Sequence, residues 1–341
     1  MFKYAIKRIL LMLLTFSIIM LICFVLVKLL PLPEVLDERY REAILARREM
    51  LGYNKPILVQ FGLLAKYVIT DWNWGLGETY MTGLEVADVF AEKLPATMIV
   101  NLWSIILSIP IGIALGVWAA LKKNSITDHT ISTVVMLSIS VPSFVYAFLV
   151  QYLFCFKLGW FDMQMLALGE CMKKMGYDLN LVGYDDLSWI KQAGVYFSLP
   201  MFLSIMPAIM SLSFGTIAGF TRVTRAELTE VLTSEFMLLA RTKGLTKAQA
   251  TYRHAMRNCM VVILPAIFGQ FIGILGGSLV IEKIFGIPGV GELYLGSITA
   301  RDYNFFMMLT AFYTFIGLAA GIVVDISYGF IDPRIRMGAK K

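Results

Sequence analysis

Six apolar runs, each long enough to cross a lipid bilayer as a helix, constrain the fold of this chain more than any other feature. A helix needs about 20 predominantly apolar residues to cross the hydrocarbon. The runs cover residues 9–30, 97–121, 130–156, 195–220, 260–281 and 305–331. Their charged residues are Lys28 and Asp325, each near the end of its run, and the Lys28 ammonium can reach the membrane interface. The sequence therefore predicts six transmembrane helices.

The composition indicates the same class of protein. Apolar residues make up 58% of the 341 residues, charged residues make up 16%, and the mean hydropathy is +0.72. Soluble domains are about 45–50% apolar and about 25% charged. These values exclude a soluble enzyme, a disordered chain and a disulfide scaffold. The fold class is an all-α integral membrane protein.

The four cysteines have no paired spacing. They are Cys23, Cys155, Cys171 and Cys259. This pattern favours small buried side chains over metal binding or redox chemistry.

The N-terminus has two interpretations. Lys3, Lys7 and Arg8 precede the first run, as they would in a signal peptide. The run is longer than the apolar region of a usual signal peptide, and no small-residue cleavage site follows it. We expect it to be retained as a helix.

Lys and Arg are unevenly distributed around the runs. If the N-terminus is cytoplasmic, the inner segments carry an excess of Lys and Arg, and the outer loops carry an excess of Asp and Glu. Cytoplasmic loops of membrane proteins are enriched in Lys and Arg, so both termini are expected in the cytoplasm. The net charge of +6 is then a signal of topology, and nucleic acid is not expected as a partner.

The runs and loops divide the chain into four segments. Residues 1–30 form the N-terminal tail and first span, and residues 31–96 form an extracytoplasmic cap with short helices. Residues 97–331 form a five-helix core, and residues 332–341 form a cytoplasmic tail. The core includes an outer loop, residues 157–194, to which the sequence assigns no structure, and an inner loop, residues 221–259.

The inner loop predicts two short helices that meet at a glycine, here called the elbow (residues 234–249). Ser234 can cap a helix that begins at Glu235, and Gly244 can end it. Thr246 and Gln249 have the spacing of a capping box that starts the second helix. The elbow is either a solvated connection or a docking surface for a soluble partner. Phe236, Met237, Leu239 and Ala240 give it an apolar side.

Small residues and prolines recur within the spans. Gly269, Gly273 and Gly277 are spaced four apart, which on one helix face allows another backbone to approach closely. The pairs Gly112/Gly116 and Gly215/Gly219 repeat the spacing. Prolines that predict local bends are Pro110, Pro142, Pro207 and Pro265. Helix packing is the simpler role for these residues, and movement of helices is the alternative.

The sequence lacks the motifs of several chemistries. It has no Walker A motif, and His129 and His254 both lie in predicted cytoplasmic loops, where neither a catalytic triad nor a zinc site can be assembled. The chain is not expected to be an enzyme or to hold a cofactor or metal. If it pumps a solute, energy must come from another protein.

Ordered short motifs cover nearly the whole chain, and together they resemble one family. They are Lys7-Arg8-Ile9-Leu10, Leu29-Leu30-Pro31, Leu94-Pro95-Ala96-Thr97, Ile109-Pro110-Ile111-Gly112, Ser140-Val141-Pro142-Ser143-Phe144, Leu158-Gly159-Trp160-Phe161, Thr221-Arg222-Val223-Thr224-Arg225, Ala240-Arg241-Thr242-Lys243-Gly244-Leu245, Arg253-His254-Ala255-Met256-Arg257-Asn258, Phe285-Gly286-Ile287-Pro288-Gly289-Val290-Gly291, Ala300-Arg301-Asp302-Tyr303 and Asp332-Pro333-Arg334. The chain resembles the permease subunits of binding-protein-dependent ABC importers, in the dipeptide, oligopeptide and nickel branch.

The resemblance implies a type I ABC importer permease in the bacterial cytoplasmic (inner) membrane. Its family signature, Glu-Ala-Ala followed by a glycine, reads Leu238-Leu239-Ala240 with Gly244 here. In this family the loop forms a coupling helix that docks on an ATPase. The implied docking residues are Glu235, Phe236, Met237, Ala240, Arg241, Lys243 and Gly244.

The resemblance also implies partners and a cargo. The partners are a second homologous permease, two ATP-binding subunits that hold ATP and Mg, an extracytoplasmic substrate-binding protein and the lipid bilayer. The expected cargo is di- or oligopeptides. A nickel ion, a metal chelate or another solute is the alternative within the family, and a stand-alone carrier, a channel or a membrane enzyme is the alternative outside it.

Overall fold

The computed structural model describes residues 2–32, 34–35, 37–179 and 182–331, and these are mostly helical. The predicted tail, residues 332–341, lies outside the described residues together with its Asp332-Pro333-Arg334 motif. The helices before the elbow are α1 (Phe2–Lys28), α2 (Glu38–Met50), α3 (Ile57–Asp71), α4 (Val86–Leu121), α5 (Ile126–Ser140), α6 (Ser143–Val150), α7 (Leu168–Lys174), α8 (Trp189–Tyr196) and α9 (Leu199–Leu232). The later helices are α10 (Glu235–Thr242), α11 (Lys247–Ala250), α12 (Met256–Gly273), α13 (Leu279–Ile284), α14 (Val290–Ala300) and α15 (Tyr303–Ile331).

Five of the predicted spans are present as long apolar helices. They are carried by α1, α4, α9, the continuous stretch Lys247–Gly276 and α15. Most extend beyond the apolar run that predicted them. For example, α4 begins at Val86, inside the segment predicted as cap, and α9 continues to Leu232, inside the predicted inner loop. The extra turns carry charged residues, so hydropathy alone could not place these ends.

The third predicted span is two helices rather than one. α5 and α6 meet at an angle of 103°, and a π-helical turn, Gln151–Lys157, continues α6. The bend has a local cause: Pro142 lacks a backbone N–H, and a residue before proline is driven towards extended backbone. Val141 is extended, with φ −85° and ψ 127°. The chain has six spans if this bent pair crosses the membrane as one.

Residue contacts divide the chain into two compact units. The first unit comprises residues 1–98, 275–283 and 287–322. Its apolar core joins Phe24, Val86, Val290 and Phe305, which come from both ends of the chain. Within it, α3 packs on α1, and the Lys28 ammonium lies 3.2 Å from the centre of the Tyr53 ring. That cation–π contact holds the end of the first span against the loop that joins α2 to α3.

The second unit comprises residues 99–274, 284–286 and, of the described residues after these, 323–331, and α9 is its central helix. α9 packs against α5, α6 and α12, and also against α7 and α8, which occupy the outer loop that the sequence left unassigned. A buried apolar cluster at one end of α9 includes Phe220 and Leu228 and reaches into the elbow. The elbow is therefore packed onto the helix that precedes it.

Candidate functional site: the elbow and its supports

The first helix of the elbow, α10, begins where the sequence predicts but not by the expected cap. Ser234 has extended backbone and precedes Glu235, the first residue of α10. Its hydroxyl donates to the carbonyl of Val231, at the end of α9, and accepts no hydrogen bond from the first turn of α10. The prediction of a serine cap was wrong in this respect, because the Ser234 side chain turns back to the last turn of α9.

The end of α10 is the one that Gly244 predicts. Gly244 has φ +88°, a left-handed conformation that glycine adopts without strain. Its N–H donates to the carbonyl of Arg241 at 3.0 Å, and the N–H of Leu245 donates to the carbonyl of Ala240 at 3.4 Å. This pair of bonds is a Schellman motif, which satisfies the last carbonyls of the helix and fixes where it stops.

The second helix of the elbow starts with the predicted capping box. The backbone N–H of Gln249 donates to the Thr246 hydroxyl at 3.3 Å, and the N–H of Thr246 donates to the Gln249 side chain at 3.1 Å. The helix is not short, however. α11 runs through a π-helical turn, Thr251–Ala255, into α12, so the elbow leads directly into a membrane-length helix.

α10 has one anchored side and one open side. Met237 and Ala240, three residues apart, are 3% and 7% exposed and pack with Leu228 and Ala250 in the second unit's core. The open side presents Phe236, Leu238 and Leu239, whose exposed fractions are 41%, 67% and 56%. An apolar surface of this kind on a short polar-flanked helix is typical of a partner contact.

The structure separates the residues that the resemblance implies for docking. Glu235, Phe236, Arg241, Lys243 and Gly244 are exposed. Met237 and Ala240 are buried within this chain, so they support α10 from beneath. Leu238 and Leu239, which the implied set leaves out, are exposed as well. The signal was available, because residues 237 and 240 share one side of a helix and residue 238 falls outside it.

A buried ion pair supports the helix that carries the elbow. Asp128, at the start of α5, is fully buried, and Arg225 of α9 pairs with it, with Nη2 2.8 Å from Oδ2. Asp128 also accepts from the backbone N–H of Asn124 at 2.9 Å. In the sequence, Asp128 is one charge among several in the inner segments. The pair ties α5 to α9 near the end from which α10 departs.

Close helix packing is achieved by one predicted glycine pair in particular. A Cβ at Gly112 would lie 2.8 Å from the Ile217 carbonyl oxygen, and a Cβ at Gly116 would lie 2.6 Å from the Thr224 Cβ. These glycines let α4 touch the backbone of α9. Gly215 and Gly219 face no atom of the described residues within 4 Å.

The series Gly269, Gly273 and Gly277 does not form a single helix face. Gly269 approaches Val324, at 3.3 Å from a hypothetical Cβ, whereas Gly273 has no such neighbour in the part of the chain that is described. Gly277 lies beyond the end of α12 with φ +60°. The helix ends early because a 3₁₀ turn, Ile274–Gly276, follows Gly273.

Two of the quoted motifs meet in the first unit around a buried carboxylate. Glu282 is 3% exposed and accepts hydrogen bonds from the Thr97 hydroxyl at 3.0 Å and from the Gly291 N–H at 2.8 Å. A Cβ at Gly289 would overlap both Glu282 Oε2 and Thr97 Oγ1. Burial raises the pKa of Glu282 above its ordinary value, although these hydrogen bonds oppose the shift.

A second carboxylate holds the loop that follows α3. Asp302, fully buried before α15, accepts through Oδ2 from the N–H groups of Glu78, Thr79 and Tyr80 at 2.6, 2.9 and 3.1 Å. Glu78 in turn pairs with Arg48 of α2 at 2.6 Å. The Ala300-Arg301-Asp302-Tyr303 motif is thus a structural latch for the cap.

With this geometry established, comparison with known proteins gives the family. The model of the family described as "Binding-protein-dependent transport system inner membrane component" matches residues 112–337, which is well over half of the chain. The chain belongs to this family. It is a permease subunit of an ABC importer and a multi-pass protein of the bacterial inner membrane, as its long apolar helices require.

Relatives of this permease match over most of their length. A dipeptide transport system permease protein, DppB, of Lactococcus lactis is 31% identical, covering 99% of this chain and 100% of the relative. A putative peptide transport system permease protein of Brucella abortus is 33% identical, covering 94% of each chain. A DppB of Bacillus subtilis is 30% identical, covering 100% of each.

Proposed function

We propose that this permease forms half of a translocation pathway for di- or oligopeptides, with a second homologous permease forming the other half. An extracytoplasmic binding protein delivers the cargo, and two separate ATPase subunits, which hold ATP and Mg, drive the cycle. The cargo rests on the relatives, whose names refer to dipeptide and peptide transport. The coupling to ATPases rests on family membership and on the elbow.

The observation that carries the coupling is the two-sided character of α10. Phe236, Leu238 and Leu239 offer an apolar face to a soluble partner, while Met237 and Ala240 fix the same helix to the core. Fully burying one leucine side chain contributes about 1.5–3 kcal/mol, so three apolar side chains can supply a useful docking energy. The exposed charges of Glu235, Arg241 and Lys243 can orient the partner at the rim of the contact.

The elbow can also transmit a displacement. The Schellman motif at Gly244 and the capping box at Thr246 fix both ends of the connection, and the apolar anchor prevents α10 from sliding on its support. α9 enters the elbow and α11 leaves it, so a movement of α10 reaches two long helices directly. When ATP closes the ATPase pair, the docked helices are drawn together and the outer side of the pathway opens. Hydrolysis then resets the inward-open state.

The docking claim is tested by changing the open face while leaving the anchor intact. The double variant Leu238→Ser/Leu239→Ser is co-expressed with the ATPase subunits of the same system, and retained ATPase is measured after purification. We expect retention to fall by more than about tenfold, because the lost burial weakens docking. The matched control is Ile126→Ser, which removes a side chain that is 86% exposed outside the elbow. Undiminished ATPase retention in the double variant would contradict the proposal.

The cargo is tested separately by uptake. Cells that depend on this system should accumulate a labelled dipeptide or oligopeptide, and deletion of the permease should abolish that uptake. Accumulation of a nickel chelate in place of peptides would assign the alternative cargo. Solute flux through the purified chain in liposomes, without ATPases, would instead indicate a stand-alone carrier.

A further inference from the structure

A large cleft in the second unit lies on the side that carries the elbow. Its volume is about 1010 Å³, and its walls are the end of α4 and the stretch from α11 to the start of α12. Four basic residues line it: Lys122, Lys247, Arg253 and Arg257. The lining includes neither Asp nor Glu among the described residues. The cleft therefore concentrates positive charge.

Most of the remaining lining is apolar. Val117 and Leu121 contribute from α4, and Met256 and Met260 contribute from the opposite wall. All four are within or next to lipid-length apolar runs, since residue 121 ends one run and residue 260 begins another. The cleft thus combines an apolar floor with a basic rim, and we call it the basic cleft.

The depth of the basic cleft follows from helix lengths. The stretch Lys247–Gly276 has 30 residues, whereas about 20 residues cross the hydrocarbon. If the Gly276 end of this stretch lies at the far interface, the 20 residues that cross the hydrocarbon end at Arg257, at the near interface. Lys247 then lies roughly 15 Å beyond the near interface, at 1.5 Å per residue. Lys122 directly follows the last residue of α4. Arg253 and Arg257 consequently lie at the level of lipid headgroups and Lys247 lies further out, on the side that the positive-inside rule assigns to the cytoplasm.

We propose that the basic cleft binds an anionic phospholipid, with its phosphate at the basic rim and the upper part of its acyl chains on the apolar floor. Charge complementarity selects an anion, and basic pockets on the cytoplasmic side of transmembrane helices bind such headgroups. A soluble subunit would not reach Val117 and Met260, because these side chains lie at hydrocarbon depth. A free phosphate would leave the apolar floor exposed to water. The inference is independent of the cargo and of the ATPases.

The four basic residues are available for this role. Lys247, Arg253 and Arg257 are exposed and form no ion pair among the described residues, and Lys122 lies only near the ring of Trp118, at 5.8 Å. By contrast, Arg225 is committed to Asp128. Tyr252, which is 81% exposed and lines the cleft, has the amphipathic character of residues that lie at membrane interfaces.

The test measures lipid retention by the full-length protein purified in mild detergent, using native mass spectrometry. Phosphatidylglycerol is compared with phosphatidylcholine, and inorganic phosphate is added as a competitor. We expect saturable binding of phosphatidylglycerol that phosphatidylcholine does not match and that phosphate does not displace. Each basic residue near an anionic headgroup contributes roughly a factor of five, so Arg253→Gln/Arg257→Gln should bind about thirtyfold more weakly.

Two further variants keep the test decisive. Lys123→Gln/Arg222→Gln removes the same charge from exposed positions outside the basic cleft and should change binding by less than about threefold. Arg253→Lys/Arg257→Lys keeps the charge and should largely retain it. Equal binding of both lipids, unchanged binding in the glutamine variant, or displacement by inorganic phosphate would each overturn the proposal. So would a disulfide between two chains carrying Met256→Cys, since a second copy would then occupy the cleft.

Discussion

Loss of the guanidinium partner of Asp128 should destabilise this permease, because a buried charge would be left without its partner. Asp128 is fully buried, whereas the Arg225 side chain is 35% exposed. Removing one partner of a fully buried pair costs about 3–5 kcal/mol, because the remaining charge is left without compensation. Asp128 would keep the N–H of Asn124, and water can reach the site that Arg225 vacates. We therefore expect the lower end of that range, about 3 kcal/mol, for Arg225→Met.

A double-mutant cycle isolates the contribution of the pair. Asp128→Asn alone should cost about 2 kcal/mol, since it loses the charge but keeps an acceptor. In Asp128→Asn/Arg225→Met no buried charge remains, so the combined loss should be smaller than the sum by about 2 kcal/mol. The free energy of unfolding is measured by SDS titration in mixed micelles. Additive losses, within about 0.5 kcal/mol, would refute the reasoning, because they would mean that the two groups do not interact.

Two further predictions concern packing and pH. Gly116→Leu should reduce the yield of folded protein in size-exclusion chromatography, because the leucine side chain would overlap Thr224 and overpacking costs about 1–3 kcal/mol. Gly219→Leu is the control: its side chain meets no described neighbour, so the yield of folded protein should not fall. Equal yields from the two variants would contradict this packing. The raised pKa of Glu282 means that the folded state favours the protonated form. The contribution of Glu282 to stability should therefore be fully present below the ordinary carboxyl pKa and be lost as the pH rises through the raised value. Glu282→Gln should remove this part of the pH dependence of thermal unfolding, and parallel curves for the two proteins would be the opposing result.

Local patterns predicted most of the long helices. Apolar length predicted the spans, and Gly244 and the Thr246 capping box predicted the two ends of the elbow connection, because both are decided by neighbouring residues. Pro142 predicted a bend but not its size. The 103° angle depends on how α5 and α6 pack on α9, which no residue near Pro142 reveals.

The parts that the sequence did not predict depend on contacts between distant residues. Thr97 and Glu282 are 185 positions apart, and Arg225 and Asp128 are 97 apart. Their side chains look like ordinary polar residues until the helices bring them together. The open side of α10 was predicted in part, because the resemblance located α10 but did not say which of its sides the core would bury.

The latch made by Asp302 sets a time order for biosynthesis. Its carboxylate accepts from the N–H of Glu78, and 224 positions separate the two residues. A ribosome adds about 5–20 residues per second, so the segment after α3 emerges roughly 10–45 s before its acceptor exists. During that interval the N-H groups of Glu78, Thr79 and Tyr80 must be satisfied by water. A nascent chain that stalls before α15 would consequently expose to proteases a cap whose N–H groups still lack the Asp302 carboxylate.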